Sequence, residues 1–414
     1  MKFEEYRIAE GIKRSISKLG YKKPTDIQFK SIPPILKGED VLAIAQTGTG
    51  KTAAYAIPLL HLLQERKIKG RPDGVKCLVM VPTHELALQT EAVFKTLGKH
   101  TRITSFSIHG GVDQDPQIEQ LNKGVDVLIA TPGRMFDLVS QGVLLLKRVE
   151  ILVLDEADHM LDLGFIKDIR DLMYHLPRKR QTLFFSATIN EKIKKIAYSL
   201  VTDAIRIQIS PKDPVARNIE HAVAFIEMDD KRFFLEDVIK NDDDKKILVF
   251  VRTKVRAERV KKALERVNII AGSIHSDKLQ EERERTMQSF RNGELKVLIT
   301  TDVSARGIDI PDVEYVVNYD LPETSEHYVH RVGRTGRGNQ KGQAISFCSS
   351  EEMELLATIE KNLGKPVHRV EISKGDYQNT LDISEEYSSG DWQSLLKEEE
   401  EYQKSRKRKK RKSK

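Results

Sequence analysis

The chain has 414 residues, enough for two domains that each bury a full core, and its two cysteines, Cys77 and Cys348, lie too far apart in number and sequence to form a disulfide framework, which fits a reducing compartment. It contains no run of about 18 apolar residues, which excludes a membrane-spanning helix. The net charge of +7 is local: nine of the 69 basic residues fall in KSRKRKKRKSK (404–414), leaving 60 against 62 acidic residues in 1–403, so any nucleic-acid site in the body must be a confined groove.

In chain order, the start, MKFEEYRIAEGIKRS, is charged and lacks an apolar signal region. VLAIA (41–45) reads as a buried strand and runs into AQTGTGKT (45–52). This is the phosphate-loop pattern G-x-x-x-x-G-K-[ST] with Ala45 in the first glycine place. An Ala at a strand end needs only an ordinary extended backbone, so the loop is intact. The amides over Thr47, Gly48, Thr49 and Gly50 curl round a β-phosphate, Lys51 reaches the β- and γ-oxygens, and the Thr52 hydroxyl ligates Mg²⁺.

Strand-like runs follow at 77–82, 103–109, 125–132, 150–158 and 181–188, with amphipathic helical stretches between most of them. This alternation predicts a parallel sheet covered on both faces. EILVLDEAD (150–158) ends an apolar strand on Asp155 and Glu156, at the sheet edge where open α/β folds bind ligands. There Asp155 is expected to hold Mg²⁺ through water, and Glu156 to accept a proton from a water attacking the γ-phosphate. An acidic solvated turn is the bland alternative, and the phosphate loop about a hundred residues earlier argues against it. A second block repeats the plan at 246–251, 268–275, 296–302, 313–320 and 343–349. The expected division is a first domain over 1–207, a linker QISPKDPVARN (208–218), a second domain over 219–371, and a largely disordered tail over 372–414.

VLDEAD, with AQTGTGKT before it and SAT (186–188) after it, resembles the DEAD-box RNA helicases of superfamily 2. The likeness covers roughly 3–371, and Ala45 is the residue that family usually has. It implies α/β architecture with two tandem RecA-like domains, and an RNA-stimulated ATPase that unwinds short duplexes or remodels RNA–protein complexes with little sequence preference. ATP and Mg²⁺ are the implied cofactors and RNA the implied partner. GYKKPTDIQ (20–28) resembles the Q motif, in which Gln28 would pair with adenine N6 and N7, with Lys23 near the nucleotide and Phe3 stacking on the base. HRVGRTGR (330–337) would supply Arg334 and Arg337 as arginine fingers, and TTDVSARGIDI (300–310) would supply Asp309 for the ribose.

By the same resemblance, RNA backbone contacts fall on Pro82, Thr83, Gly110, Gly111, Thr131, Pro132, Gly133, Arg134, Arg252, Thr253 and Thr301, joined by Gln280 and Arg283. Asp158, Ser186, Thr188, Gln280, Arg283 and His330 would couple the motifs. His84 stands where the family has Arg in P-T-R-E-L-A, and a neutral His there is expected to carry less phosphate attraction than that Arg. The short body is similar to bacterial RhlE-type members and points to the cytoplasm; a nuclear protein using KRKKRK as its signal is the alternative. An ATP-gated RNA clamp is the second functional reading, and a duplex-DNA translocase is disfavoured by the Q motif and the DEAD spelling. The basic tail reads as a sequence-blind RNA tether.

Overall fold

The computed structural model describes residues 2–46, 48–67, 74–209, 215, 218–305, 310, 313–336 and 340–387. Thr47, Asp309 and Arg337, most of the expected linker and the basic tail lie outside these residues.

The first sheet contains β1 (Val41–Ala45), β2 (Cys77–Met80), β3 (Ser105–Ile108), β4 (Val127–Ala130), β5 (Ile151–Leu154), β6 (Gln181–Ser186) and β7 (Ile205–Ile209), in the order β3-β4-β2-β5-β6-β1-β7. The second contains β8 (Ile219–Phe225), β9 (Ile247–Phe250), β10 (Ala271–Ile274), β11 (Val297–Thr300), β12 (Tyr315–Asn318), β13 (Gly342–Cys348) and β14 (His368–Val370), in the order β10-β11-β9-β12-β13-β8-β14. Each strand pair is parallel. These are the two RecA-like sheets that the repeated pattern predicts.

Because each sheet is covered on both faces, its central strands are apolar on both sides. In β1, Val41, Ala43 and Ala45 enter one core with Leu183 and Phe185 of β6. Leu42 enters the opposite core with Phe184. Two further cores flank the second sheet in the same way.

The structure corrects two boundaries. Gln208 and Ile209, expected in the linker, belong to β7 and pair with Ile44 and Ala45. The irregular chain expected from 372 instead begins with a helix, Lys374–Tyr387. Its Tyr377 ring lies 4.8 Å from that of Phe234, and its hydroxyl donates to Asp230 Oδ2 at 2.7 Å. A half-buried ring and a phenolic bond hold this segment to the helix Lys231–Asn241 and its N-cap Asp230 although its composition is polar.

Candidate functional site: a nucleotide cleft and an RNA face between two domains

The chemistry-bearing loops leave the C-terminal ends of β1, β5 and β6. Gly48 and Gly50 adopt φ of +80° and +88°, where a side chain is strained. A Cβ on Gly50 would also meet Gln28 Nε2 at 2.5 Å. Lys51, only 6% exposed, heads the helix Lys51–Arg66 and donates to Ala45 O at 2.9 Å. That bond uses a backbone carbonyl, which is why an Ala serves at position 45.

Gln28 closes the loop from the side. Its Oε1 accepts from Thr25 N at 3.0 Å and its Nε2 donates to Gly50 O at 3.2 Å. Each amide atom keeps one free hydrogen-bonding position, which suffices for one bidentate pairing with adenine. Phe3 differs from expectation. It is 3% exposed, packed in the core with its ring 6.2 Å from that of Tyr6, so it offers no free face to a base. The exposed aromatic in this stretch is Tyr21, which sequence reasoning passed over, and Lys23 is exposed beside it.

Asp155 and Glu156 follow β5 directly. Asp155 is 2% exposed; its Oδ2 accepts from Tyr55 Oη at 2.8 Å and its Oδ1 from Glu156 N at 2.9 Å. Burial raises its pKa, opposed by Lys51 and these two bonds and assisted by the neighbouring Glu156 charge. Glu156 sits at φ +49°, ψ +47°, a left-handed conformation that costs a non-glycine residue roughly 1–3 kcal/mol. Burial would raise its pKa as well, but His159, Lys51 and Arg334 outweigh that and hold it at about 2. His159 Nδ1 lies 3.4 Å from Glu156 Oε2, a partner that no local pattern singles out. At neutral pH Glu156 is therefore ionised.

Asp158, Ser186 and Thr188 lie together within the first domain. Asp158 Oδ2 accepts from Thr188 N at 3.1 Å and from its hydroxyl at 3.2 Å, and Ser186 Oγ donates to Thr188 O at 2.7 Å. Thr188 and Gln46 line one cleft of about 180 Å³ together with His330, Ser325 and Glu326 of the second domain. Arg334, 4% exposed, arrives from that same side and is near enough for its charge to lower Glu156.

On the other flank, strand ends again deliver helix N-termini. Thr83 caps the helix His84–Gly98 by accepting from Leu86 N, and Thr253 caps Lys254–Arg266 by accepting from Arg256 N. Thr131 and Pro132 open Pro132–Ser140. Arg134 Nη2 donates to Val112 O at 2.8 Å, beside Gly110 and Gly111. Thr301 Oγ1 donates to Ser304 Oγ at 3.4 Å, and Gly133 has open space where a side chain would stand. Arg252 is tied at both ends: its N donates to Asp320 Oδ2 at 2.8 Å and its Nη2 to Glu352 Oε1 at 2.7 Å.

Gln280 and Arg283 depart from the expected RNA contacts: at the domain boundary Gln280 meets His84 and Arg283 meets Glu85. Gln280 Nε2 lies 3.2 Å from His84 Nε2, Glu284 Oε1 lies 3.2 Å from the same nitrogen, and Arg283 pairs with Glu85. The His84 and His109 rings are 4.1 Å apart. These groups surround a cavity of about 240 Å³ at the interface. His84 thus joins the domains where a weaker phosphate contact was expected.

Comparison with known proteins agrees with this arrangement. Residues 25–196 match the DEAD/DEAH box helicase family model and 230–339 the helicase conserved C-terminal domain. The ATP-dependent RNA helicase DbpA of Bacillus subtilis is 37% identical over 89% of this chain and 76% of its own. The ATP-dependent RNA helicase RhlB of Shewanella amazonensis is 38% identical over 92% of this chain and 87% of its own. The structure of S. cerevisiae Dbp5 bound to RNA and ADP BeF3 superimposes with a TM-score of 0.80 at 31% identity, covering 93% of this chain and 99% of that one. With a nucleotide loop and DEAD carboxylates on one RecA-like domain and an arginine delivered by the other, the chain belongs to the DEAD-box ATP-dependent RNA helicases.

Proposed function

We propose that this chain binds ATP in the cleft between its domains and RNA across both, and that closure and hydrolysis alternate to open short duplexes or strip RNA–protein contacts. The observation carrying this reading is the cleft in which Gln46 and Thr188 of the first domain face Ser325 and His330 of the second, with the Arg334 charge acting on Glu156 from that second domain. A cleft that brings a guanidinium to the catalytic carboxylate is suited to a γ-phosphoryl group between them.

In this reading the amides of 47–50 and Lys51 hold the phosphates, and Gln28 reads adenine, with the exposed Tyr21 the better candidate than Phe3 for stacking. Thr52 and Asp155 offer the hard oxygen donors that suit Mg²⁺, and each Asp155 oxygen keeps a lone pair beyond its present bond. Bound there, Mg²⁺ would supply charge neutralisation at the phosphates. Glu156 accepts the proton of the attacking water, while Arg334, with Arg337 and Asp309 in the roles the family implies, completes the site. RNA backbone would run over Pro82, Thr83, Gly110, Gly111, Thr131–Arg134, Arg252, Thr253 and Thr301, its 2′-hydroxyls selecting RNA over DNA. Because ATP and RNA each need both domains, each should tighten the other.

Among the described residues no helix is long and apolar enough to cross a membrane. Together with relatives named for bacterial RNA helicases, this supports a cytoplasmic location; the finer likeness to the RhlE type rests on the short body alone. The test is RNA-stimulated turnover. ATP should support it, with displacement of a short RNA strand, far better than GTP, and Gln28→Ala should narrow that gap. Equal use of both nucleotides would remove the adenine assignment, and turnover indifferent to RNA would remove the helicase reading.

A further inference from the structure

Tyr55 stands one helical turn after Thr52 on the helix that follows the phosphate loop, and it is fully buried. Its ring is fixed between Phe185, with centroids 5.2 Å apart, and Phe94, at 6.1 Å. From there its hydroxyl crosses to the other motif and donates to Asp155 Oδ2 at 2.8 Å. The second carboxylate oxygen is held at 2.9 Å by Glu156 N. Two donors, one on each oxygen, set the rotation of the carboxylate about its Cβ–Cγ bond, because turning it breaks both. The backbone donor follows β5, whereas the phenol comes from the helix that carries Thr52.

We infer that Tyr55 is a positioning residue for the Mg²⁺–ATP site: its phenol sets the orientation of the Asp155 carboxylate and ties it to the helix that presents Thr52, so that the two oxygen donors form one rigid unit. The inference rests on the proposed role of Asp155 toward Mg²⁺. It differs from a core tyrosine whose hydroxyl has merely found an acceptor, because that acceptor is the carboxylate expected to serve the metal. Groups that orient a metal-binding carboxylate typically change metal affinity by about 10–100-fold when removed.

Tyr55→Phe keeps the ring and deletes the hydroxyl, which donates to Asp155 and also faces the Thr52 and Thr90 hydroxyls. Binding of a non-hydrolysable ATP analogue is measured in full-length protein across a Mg²⁺ titration and again with the metal chelated. We expect the Mg²⁺ concentration for half-maximal binding to rise about tenfold, the low end of that range, with metal-free nucleotide affinity unchanged. Asp155→Asn should raise the same midpoint, and Tyr55→Phe added to it should do nothing further, since the two act through one carboxylate. A parental midpoint in Tyr55→Phe beside a raised one in Asp155→Asn overturns the role of Tyr55 alone. Parental midpoints in both overturn the Asp155 assignment and the inference with it. Equal losses with and without Mg²⁺ in Tyr55→Phe identify a packing defect, which also overturns it.

Discussion

The two domains share one strand order but use the lysine that follows their first strand differently. The correspondence reaches individual residues. Lys51 lies six residues after the end of β1 and heads the next helix; Lys231 lies six residues after the end of β8 and heads the next helix. Lys231 is 0% exposed, however, and donates to Glu352 Oε2 at 2.5 Å and to Phe347 O at 3.2 Å, with Asp320 Oδ1 at 4.0 Å. The second domain thus fills the phosphate position with its own carboxylates. Glu352 is shared further, accepting from Arg252 Nη2 and from Leu321 N, while Asp320 accepts from Arg256 Nη1. The same scaffold that binds an anionic ligand in one copy has become an internal ion network in the other, which supports Arg252 on the RNA side.

Breaking the comparison at its chemical end gives the largest effect. Glu156→Gln removes the proton acceptor at nearly constant shape, together with the charge that faces His159, Lys51 and Arg334, so RNA-stimulated turnover should fall by about 10²–10⁴-fold while ATP and RNA still bind. Steady-state ATPase with parallel binding assays checks this, and parental turnover would show that Glu156 is not the base.

The paired lysines sharpen the contrast. Lys51→Met should abolish ATP binding with little loss of stability. Lys231→Met should leave nucleotide affinity intact but cost about 3–5 kcal/mol of stability, because it strips a partner from buried carboxylates. Denaturant unfolding of both variants, with nucleotide titrations, separates the two roles; a Lys231 variant with parental stability would refute the internal network.

The smallest expected effect lies at the seam between the domains. Burial, then His109, holds the His84 pKa below its ordinary value, with Arg283 pushing the same way and Glu85 and Glu284 opposing. Since the packed state prefers neutral imidazole, its contribution is complete above the ordinary value of about 6.5 and is lost as pH falls below it. RNA affinity in the presence of a non-hydrolysable ATP analogue should therefore weaken a few-fold between pH 8 and pH 5.5. His84→Gln, which cannot titrate, should flatten that profile. An unchanged slope in the variant would assign the pH dependence elsewhere.

Most of the interior strands, both nucleotide motifs and the duplicated plan were legible in the residues alone; β8 (IEHAVAF), interior but partly polar, was not. Central strands of a parallel sheet must be apolar on both faces, and phosphate chemistry demands particular residues at close spacing, so both leave marks within a few residues. The edge strands β7 (IRIQI) and β14 (HRV) left no such mark because most of their residues are at least partly open to solvent, so neither carries an apolar run. Only the tertiary structure decided which long-range partners each side chain takes. Tyr55 and Asp155 are a hundred residues apart, and Gln280 and His84 are 196 apart. It also buried Phe3 and drew Tyr377 onto the second domain. Such pairings depend on how strand ends and helix faces converge after packing, and no local pattern records that convergence.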